Sequence, residues 1–264
     1  SGSRSLTEGL DRRAGDAQWL SNGEIAYTFQ NRGENHIGVV DRTGNRRVAV
    51  EGIGGTTVGR PYVSGSFDAG AGGSLVYTKG SATRPADLFA SARRRETRLT
   101  TLNEDLLAHR DLGELREFTY ASSLDGLEIQ GWMITPPGYE EGQRSPLIIE
   151  LHGGPPLAYG PHFSAVDWAI AYGVADESNL FIAGGSAGGI ATAYAVGLTD
   201  RFNAAMAAKP VINWVSKVLT ADSYIGQVQN QFPGPPWEHL EHYWKRSPIS
   251  LVGNVTTPTM LITG

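Results

Sequence analysis

The six residues Gly184-Gly185-Ser186-Ala187-Gly188-Gly189 constrain this 264-residue chain more than any other segment. They stand between a short apolar run, Asn179 to Ala183, and a stretch of small residues, Ile190 to Leu198. The first predicts a buried strand and the second a helix, so the backbone must reverse from one to the other within a few residues. A residue at the apex of such a turn takes a strained conformation, and bulky neighbours would run into the strand and helix backbones. Glycine on both sides relieves that crowding and leaves the Ser186 hydroxyl projecting above a sheet.

In this strand-turn-helix context Gly-x-Ser-x-Gly is the nucleophile turn of an α/β-hydrolase domain. Ser186 is therefore the candidate nucleophile of a serine hydrolase, with a peptidase as the first reading. The following helix aims its N-terminal amides at the site, which makes the Ala187 N–H a candidate oxyanion donor. The second donor belongs on the loop after an earlier strand. Leu147 to His152 is such an apolar run, and His152-Gly153-Gly154-Pro155 behind it resembles the HGG-type oxyanion loops, with Gly154 as the donor. His152 in that position is a structural hydrogen-bonding residue rather than the base. A glycine-rich turn without catalysis is the plain alternative, and no Gly-x-Gly-x-x-Gly spacing supports dinucleotide binding.

After the nucleophile helix, Pro210, Val211, Trp214, Phe232 and Trp237 are candidates to line an apolar substrate pocket, with core or cap packing an equal alternative for each. His239 and His242 share one face of a helix expected over Trp237 to Trp244. They lack a His-Glu-x-x-His frame and an evident third ligand, so a solvated helix face is preferred and no metal or cofactor is expected. Glu140-Glu141 sits in a polar turn and reads as a solvated loop.

The first hundred residues have a different character. Short alternating runs between glycine-rich turns predict small antiparallel strands. Glu24 to Phe29 and Ile37 to Val40 flank a polar turn at Asn31 to Asn35; Ser74 to Thr78 and Leu88 to Ala90 flank one at Arg84-Pro85-Ala86-Asp87. Tyr27 and Tyr77 hold matching places in the two, and a period of about 50 residues is near that of a β-propeller blade. A small β-sandwich is the simpler alternative. Leu102 to Leu115 predicts an irregular or partly helical linker. Beyond it, strands around Asp125-Gly126, then apolar runs alternating with helices, predict an α/β domain. The expected division is residues 1–112, partial propeller blades and linker, and residues 113–264, an incomplete α/β-hydrolase domain.

Composition removes several function classes. The chain has no cysteine, which excludes disulfides, thiolate metal sites and a cysteine nucleophile. A net charge of -5 and the scattering of basic residues give no indication of a polyanion-binding face, and Arg93-Arg94-Arg95 reads as a solvated turn. No window approaches the ~20 apolar residues of a membrane span, and Ser1-Gly2-Ser3-Arg4 has no signal-peptide core. The expectation is a soluble, cytoplasmic protein that takes a peptide substrate and binds neither nucleic acid nor membrane. A homo-oligomer is left open.

With these pieces placed, the sequence resembles the prolyl oligopeptidase family of serine peptidases, and within it the acylaminoacyl-peptidase-like branch. The residues carrying the resemblance are Asp125 to Trp132, His152 to Pro155, Gly184 to Gly189, and Tyr243-Trp244-Lys245-Arg246-Ser247-Pro248. It implies an N-terminal propeller gating a C-terminal α/β-hydrolase that removes blocked or short N-terminal units from peptides. It also implies a triad Asp and His after late strands, whereas the chain stops at Gly264, just beyond the apolar run Thr259 to Ile262. His152 and Ser186 are separated by about 34 positions, too few for two crossover helices and a strand, and Asp167 to Gly173 looks like a join. The expectation is thus part of a longer enzyme. A carboxylesterase, or an inactive portion serving as a binding module, are the rival readings.

Overall fold

Apolar residues alternating with polar ones, punctuated by positive-φ turn residues, fold the first part of the chain into two four-stranded antiparallel sheets. The computed structural model describes residues 3–57, 59–93, 95–142, 147–154, 157–165 and 180–263. Within it the chain divides into two units: Ser1–Glu141 with Ala158–Gly173, and Gly142–Leu157 with Val174–Gly264.

In the first unit, β1 (Ala14–Trp19), β2 (Ile25–Asn31), β3 (Glu34–Val40) and β4 (Arg46–Ile53) form one meander. A second is built from β5 (Phe67–Ala69), β6 (Leu75–Ser81), β7 (Arg84–Ala92) and β8 (Arg95–Arg98). Tyr27 and Tyr77 occupy the second strand of each and are buried, as their matching places in the sequence suggest. Leu20, just after β1, and Ile37, Val39, Val50 and Ile53 of the first sheet share one apolar cluster with Phe67, Leu75 and Tyr77 of the second.

Both hairpin turns are tighter than the sequence predicts. Asn31 pairs with Glu34, so only Arg32 and Gly33 connect β2 to β3, with φ of 48° and 75°. Two consecutive positive φ values match the twist of the flanking strands. In the second meander the turn is Ala82-Thr83, and Arg84-Pro85-Ala86-Asp87 lies inside β7. A register shift between Lys79 and Ser81 accommodates the proline. Asp87, read locally as a turn former, is buried and satisfied by tertiary partners. It accepts from Arg98 Nε at 2.9 Å, from the Thr100 hydroxyl at 2.8 Å and from the Leu102 N–H at 2.8 Å.

The linker carries one helical turn, α1 (Glu104–Leu107). Next, β9 (Leu115–Ala121) and β10 (Glu128–Ile134) pair antiparallel around Asp125-Gly126 and belong by their contacts to the first unit. Glu117 on this ribbon pairs with Arg32 at 3.1 Å and accepts from Gln130 at 2.7 Å. A Cβ on Gly33 would sit 2.3 Å from the Trp132 ring, so glycine is required there by contact as well as by φ.

The second unit is a parallel sheet in the order β11 (Ile148–Leu151), β12 (Phe181–Gly185), β13 (Ala204–Ala208), β14 (Thr259–Ile262). Helix α2 (Ala187–Leu198) packs across β11, β12 and β13, and Ile182, Val196 and Ala205 form the core between them. Shorter helices follow: α3 (Trp214–Thr220), α4 (Tyr224–Gln231) and α5 (Leu240–Arg246). The sequence predicts β11 and β14 to be buried on both faces. Instead Ile148 and Ile149 on β11, Met260 and Leu261 on β14, and Phe181 on the inner strand β12 are exposed. The join expected over Asp167 to Gly173, and Pro155, Arg94 and Asn179, lie outside the described residues. Among the described residues no helix is long and apolar enough to cross a membrane, and no cluster of His, Asp and Glu could hold a metal.

Candidate active site

The end of β12 and the start of α2 meet at Ser186, whose backbone adopts φ 56° and ψ -117°. That conformation is costly for a side chain with a Cβ and persists only where neighbours over-determine it. Two hydrogen bonds do so: the Ser186 N–H donates to the Ala208 carbonyl at 2.8 Å, and the Ser186 carbonyl accepts from the Ile190 N–H at 2.9 Å. The side chain is exposed, and among the described residues nothing hydrogen-bonds its hydroxyl.

The surrounding glycines are not equivalent. A Cβ on Gly184 would lie 2.3 Å from the Gly188 carbonyl oxygen, and one on Gly189 would lie 2.6 Å from the Ala208 oxygen. On Gly188 it would lie 2.0 Å from the Leu151 oxygen and 3.0 Å from the His152 oxygen. A Cβ on Gly185 would meet nothing within 4 Å. The absence of side chains at 184, 188 and 189 is what lets strand, turn and helix backbones touch.

Gly188 also packs against the chain leading into the loop that carries the second candidate donor. Its contact with the Leu151 and His152 carbonyls sets the first turn of α2 against the start of the His152-Gly153-Gly154 loop. Ala187 is the first residue of α2, so its N–H has no intrahelical acceptor. His152 turns its Nδ1–H to the Gly153 carbonyl at 2.7 Å, a local bond that shapes the loop. Gly153 is buried and Gly154 half-buried.

The candidate pocket residues separate into two groups. Phe232 is buried, stacks on Tyr243 with centroids 4.0 Å apart, and meets Trp214 edge-on at 5.2 Å. With Val218 these rings make a second core beneath α3, α4 and α5. Trp237 stands outside it, 67% exposed, while Pro210 and Val211 are half-buried on the loop after β13. Two residues that sequence reasoning assigned no role hold this region. The Tyr243 hydroxyl donates to the Gly234 carbonyl at 2.8 Å. The Ser247 hydroxyl donates to the Tyr243 carbonyl at 2.8 Å and accepts from the Trp214 N–H at 2.9 Å. Their signal was the run Tyr243 to Pro248, distinctive as a string but mute about partners.

His239 and His242 do not share a helix. The helix begins at Leu240, because His239 is its N-cap and adopts a non-helical backbone, φ -131° and ψ 35°. The His239 ring lies against Gly234, whereas His242 faces Phe232 and Arg246. Burial, then the Arg246 charge and His239, hold His242 below the usual imidazole pKa.

Compared with known proteins, residues 162–264 match the model of the prolyl oligopeptidase family. The chain's curated relatives include the uncharacterised peptidase YuxL of Bacillus subtilis, 26% identical over 229 residues, covering 69% of this chain and 35% of the relative. The acylamino-acid-releasing enzyme of Arabidopsis thaliana is 37% identical over 108 residues, 38% of this chain and 14% of that enzyme. Among solved structures, an acylaminoacyl peptidase in complex with Z-Gly-Gly-Phe-chloromethyl ketone superposes with a TM-score of 0.82 at 25% identity, over 98% of this chain and 47% of that one. The acylaminoacyl peptidase of Pyrococcus horikoshii gives 0.81 at 24% identity, over 98% and 47%. The chain therefore spans less than half the length of each. With these prolyl oligopeptidase family relatives, the two meanders are propeller blades and the parallel sheet is the α/β-hydrolase sheet.

Proposed function

We propose that the chain is part of a serine peptidase of the acylaminoacyl-peptidase type, acting on short or N-terminally blocked peptides through an acyl-enzyme on Ser186. The observation that carries this reading is the Ser186 turn: an exposed hydroxyl on a strained residue, at the N-terminus of α2, packed through Gly188 against the His152 loop. In the proposed reaction the Ser186 Oγ bonds to the substrate carbonyl carbon while its proton passes to a general base. The negative charge collects on the former carbonyl oxygen, held by the Ala187 and Gly154 N–H groups, each such donor worth about 2.7–4 kcal/mol in the transition state. Collapse breaks the C–N bond, the amine leaves with the proton, and water releases the acyl group by the reverse sequence. Val211, Trp214, Phe232 and Trp237 belong to this proposal as the apolar side of the substrate site. Trp237 supports it through its exposure; Phe232 and Trp214 would act from within the packed cluster. The functional boundary is proposed between Leu112 and Gly113.

The test, made on the full-length protein, is a fluorophosphonate probe, which reacts only with an activated serine, followed by competing peptide-amide and p-nitrophenyl ester substrates. Labelling at Ser186, lost in Ser186→Ala, with cleavage of the amide, is the expected result. Ester turnover without amide cleavage would point to a carboxylesterase, and no labelling would end the nucleophile assignment.

A further inference from the structure

The two blades carry a tyrosine at the same place of the second strand, but its partners differ. In the second blade the Tyr77 hydroxyl donates to Glu96 Oε2 at 2.6 Å, and Lys79 Nζ donates to the same oxygen at 3.0 Å. The strand pairings that lead from one to the other run from Tyr77 across to Phe89 on β7, two residues along to Ser91, and across to Glu96 on β8. The same path in the first blade runs from Tyr27 across to Gly38 on β3, two residues along to Val40, and across to Arg46 on β4. A cation therefore stands where the register of the second blade places a carboxylate.

Tyr27 is 3% exposed, and a Cβ on Gly38 would lie 2.5 Å from its Cζ and 2.7 Å from its hydroxyl oxygen, so the phenol lies over β3 where glycine leaves room for it. Among the described residues its hydroxyl has no hydrogen-bond partner, and Arg46 has neither an ion pair nor a hydrogen bond. Two carboxylates of the same blade are committed elsewhere: Glu24 pairs with Arg47 at 2.6 Å, and Asp41 accepts from the Thr43 hydroxyl at 2.6 Å and the Asn45 N–H at 3.0 Å. Burial raises the Tyr27 pKa and the Arg46 charge opposes the rise, whereas burial and Glu96 both raise that of Tyr77. Buried polar groups are ordinarily hydrogen-bonded, so a buried hydroxyl beside a free guanidinium is an arrangement of donors that lacks its acceptor.

Tyr27 and Arg46 line one cavity of about 590 Å³, to which Leu10, Phe29 and Val48 contribute apolar surface. A guanidinium and a hydroxyl complement a carboxylate, and the carbon around them complements an apolar body attached to it. We propose that Tyr27 and Arg46 form a binding site for the carboxylate of an organic acid, which takes in the first blade the place that Glu96 fills in the second, with the apolar body of the acid against Leu10, Phe29 and Val48. A small free acid and the C-terminus of a peptide present this same group. The site lies wholly within the first unit and does not rest on the reading of Ser186.

The test labels the full chain with 13C at tyrosine Cζ, the Tyr27 resonance being the one lost in Tyr27→Phe. 3-Phenylpropionate and N-acetylphenylalanine are titrated separately, with 3-phenylpropionamide as the uncharged control and inorganic phosphate as a second anion. The expected result is a saturable shift of the Tyr27 resonance with one or both acids and none with the amide; the acid that binds more tightly tells a free acid from a peptide C-terminus. Arg46→Glu installs the acceptor of the second blade. In it the Tyr27 resonance should start displaced, and the acids should bind at least about tenfold more weakly. Should Arg46→Glu fail to fold, Arg46→Gln removes the charge alone and reads the same loss. A Tyr27 resonance that neither acid moves, that the amide or phosphate moves equally, or that titrates with the parent affinity in both Arg46 variants would overturn the proposal. Each of these results leaves the peptidase reading intact, because that reading stands on fluorophosphonate labelling at Ser186.

Discussion

Replacing Gly188 by alanine tests whether the Ser186 turn is built by backbone contact. The new Cβ would sit 2.0 Å from the Leu151 carbonyl oxygen and 2.7 Å from its carbon, both backbone atoms of β11. Since real Cβ atoms keep at least about 3 Å from such atoms, α2 and β11 must separate by about 1 Å. Overpacking on this scale costs ~1–3 kcal/mol, and rigid backbone on the receiving side argues for the upper end. Alanine regains ~1 kcal/mol of helix preference over glycine, leaving a net loss of about 2 kcal/mol. A displacement of ~1 Å in the catalytic geometry costs on the order of 100-fold in rate. Gly185→Ala is the matched control, because a Cβ there meets nothing within 4 Å; it should stay within about 0.5 kcal/mol of the parent. Urea unfolding measures the stabilities, and the rate of fluorophosphonate labelling at Ser186 measures the geometry. If Gly185→Ala proved as damaging as Gly188→Ala, or if Gly188→Ala labelled at the parent rate, the contact argument would be wrong.

Other outcomes follow from the two cores and the buried polar groups. Asp87→Ala strips the buried carboxylate from Arg98, Thr100 and Leu102 and should destabilise the first unit by about 3 kcal/mol in thermal or urea melts. Burial alone would raise the Asp87 pKa, but the Leu102 N–H, Thr100 hydroxyl and Arg98 outweigh it and hold it below the usual range. The stability Asp87 contributes is therefore present above the unfolded carboxylate pKa and lost as pH falls through the folded value; Asp87→Asn should flatten that acid limb. His162 works in a higher window. Burial lowers its pKa, so the unfolded chain takes up the proton first and stability declines as pH drops below ~6.5, a slope that His162→Phe should remove. Phe232→Ala should cost ~3 kcal/mol through the lost stack on Tyr243, visible in urea melts. Trp237→Ala should leave stability unchanged and appear, if the pocket proposal holds, as a raised KM for peptide amides.

The glycines around Ser186, the parallel sheet and the blade-like meanders were legible in the sequence because each depends on local rules: side-chain size at a sharp turn, hydrophobic period, and turn residues at intervals. Tyr27 and Tyr77 could be matched from spacing alone, and both occupy the same strand position. Local rules failed where distant partners decide. Asp87 has turn chemistry, yet Arg98, Thr100 and Leu102 draw it into β7, and the turn moves to Ala82-Thr83. His239 and His242 have helical spacing, yet the non-helical backbone of His239 makes it the N-cap and leaves only His242 inside the helix. Phe232 and Trp237 look alike as aromatic candidates, and only tertiary packing buries one against Tyr243 and leaves the other in solvent.

The sequence by itself determined that a serine stands on a glycine-flanked turn between strand and helix, because no bulkier pattern closes that turn. Only the tertiary structure decided that Gly188 and Gly189 are indispensable, since the carbonyls they touch come from Leu151, His152 and Ala208, far away along the chain. It alone seated His162 against Gly54, a contact across more than a hundred residues that no local pattern encodes.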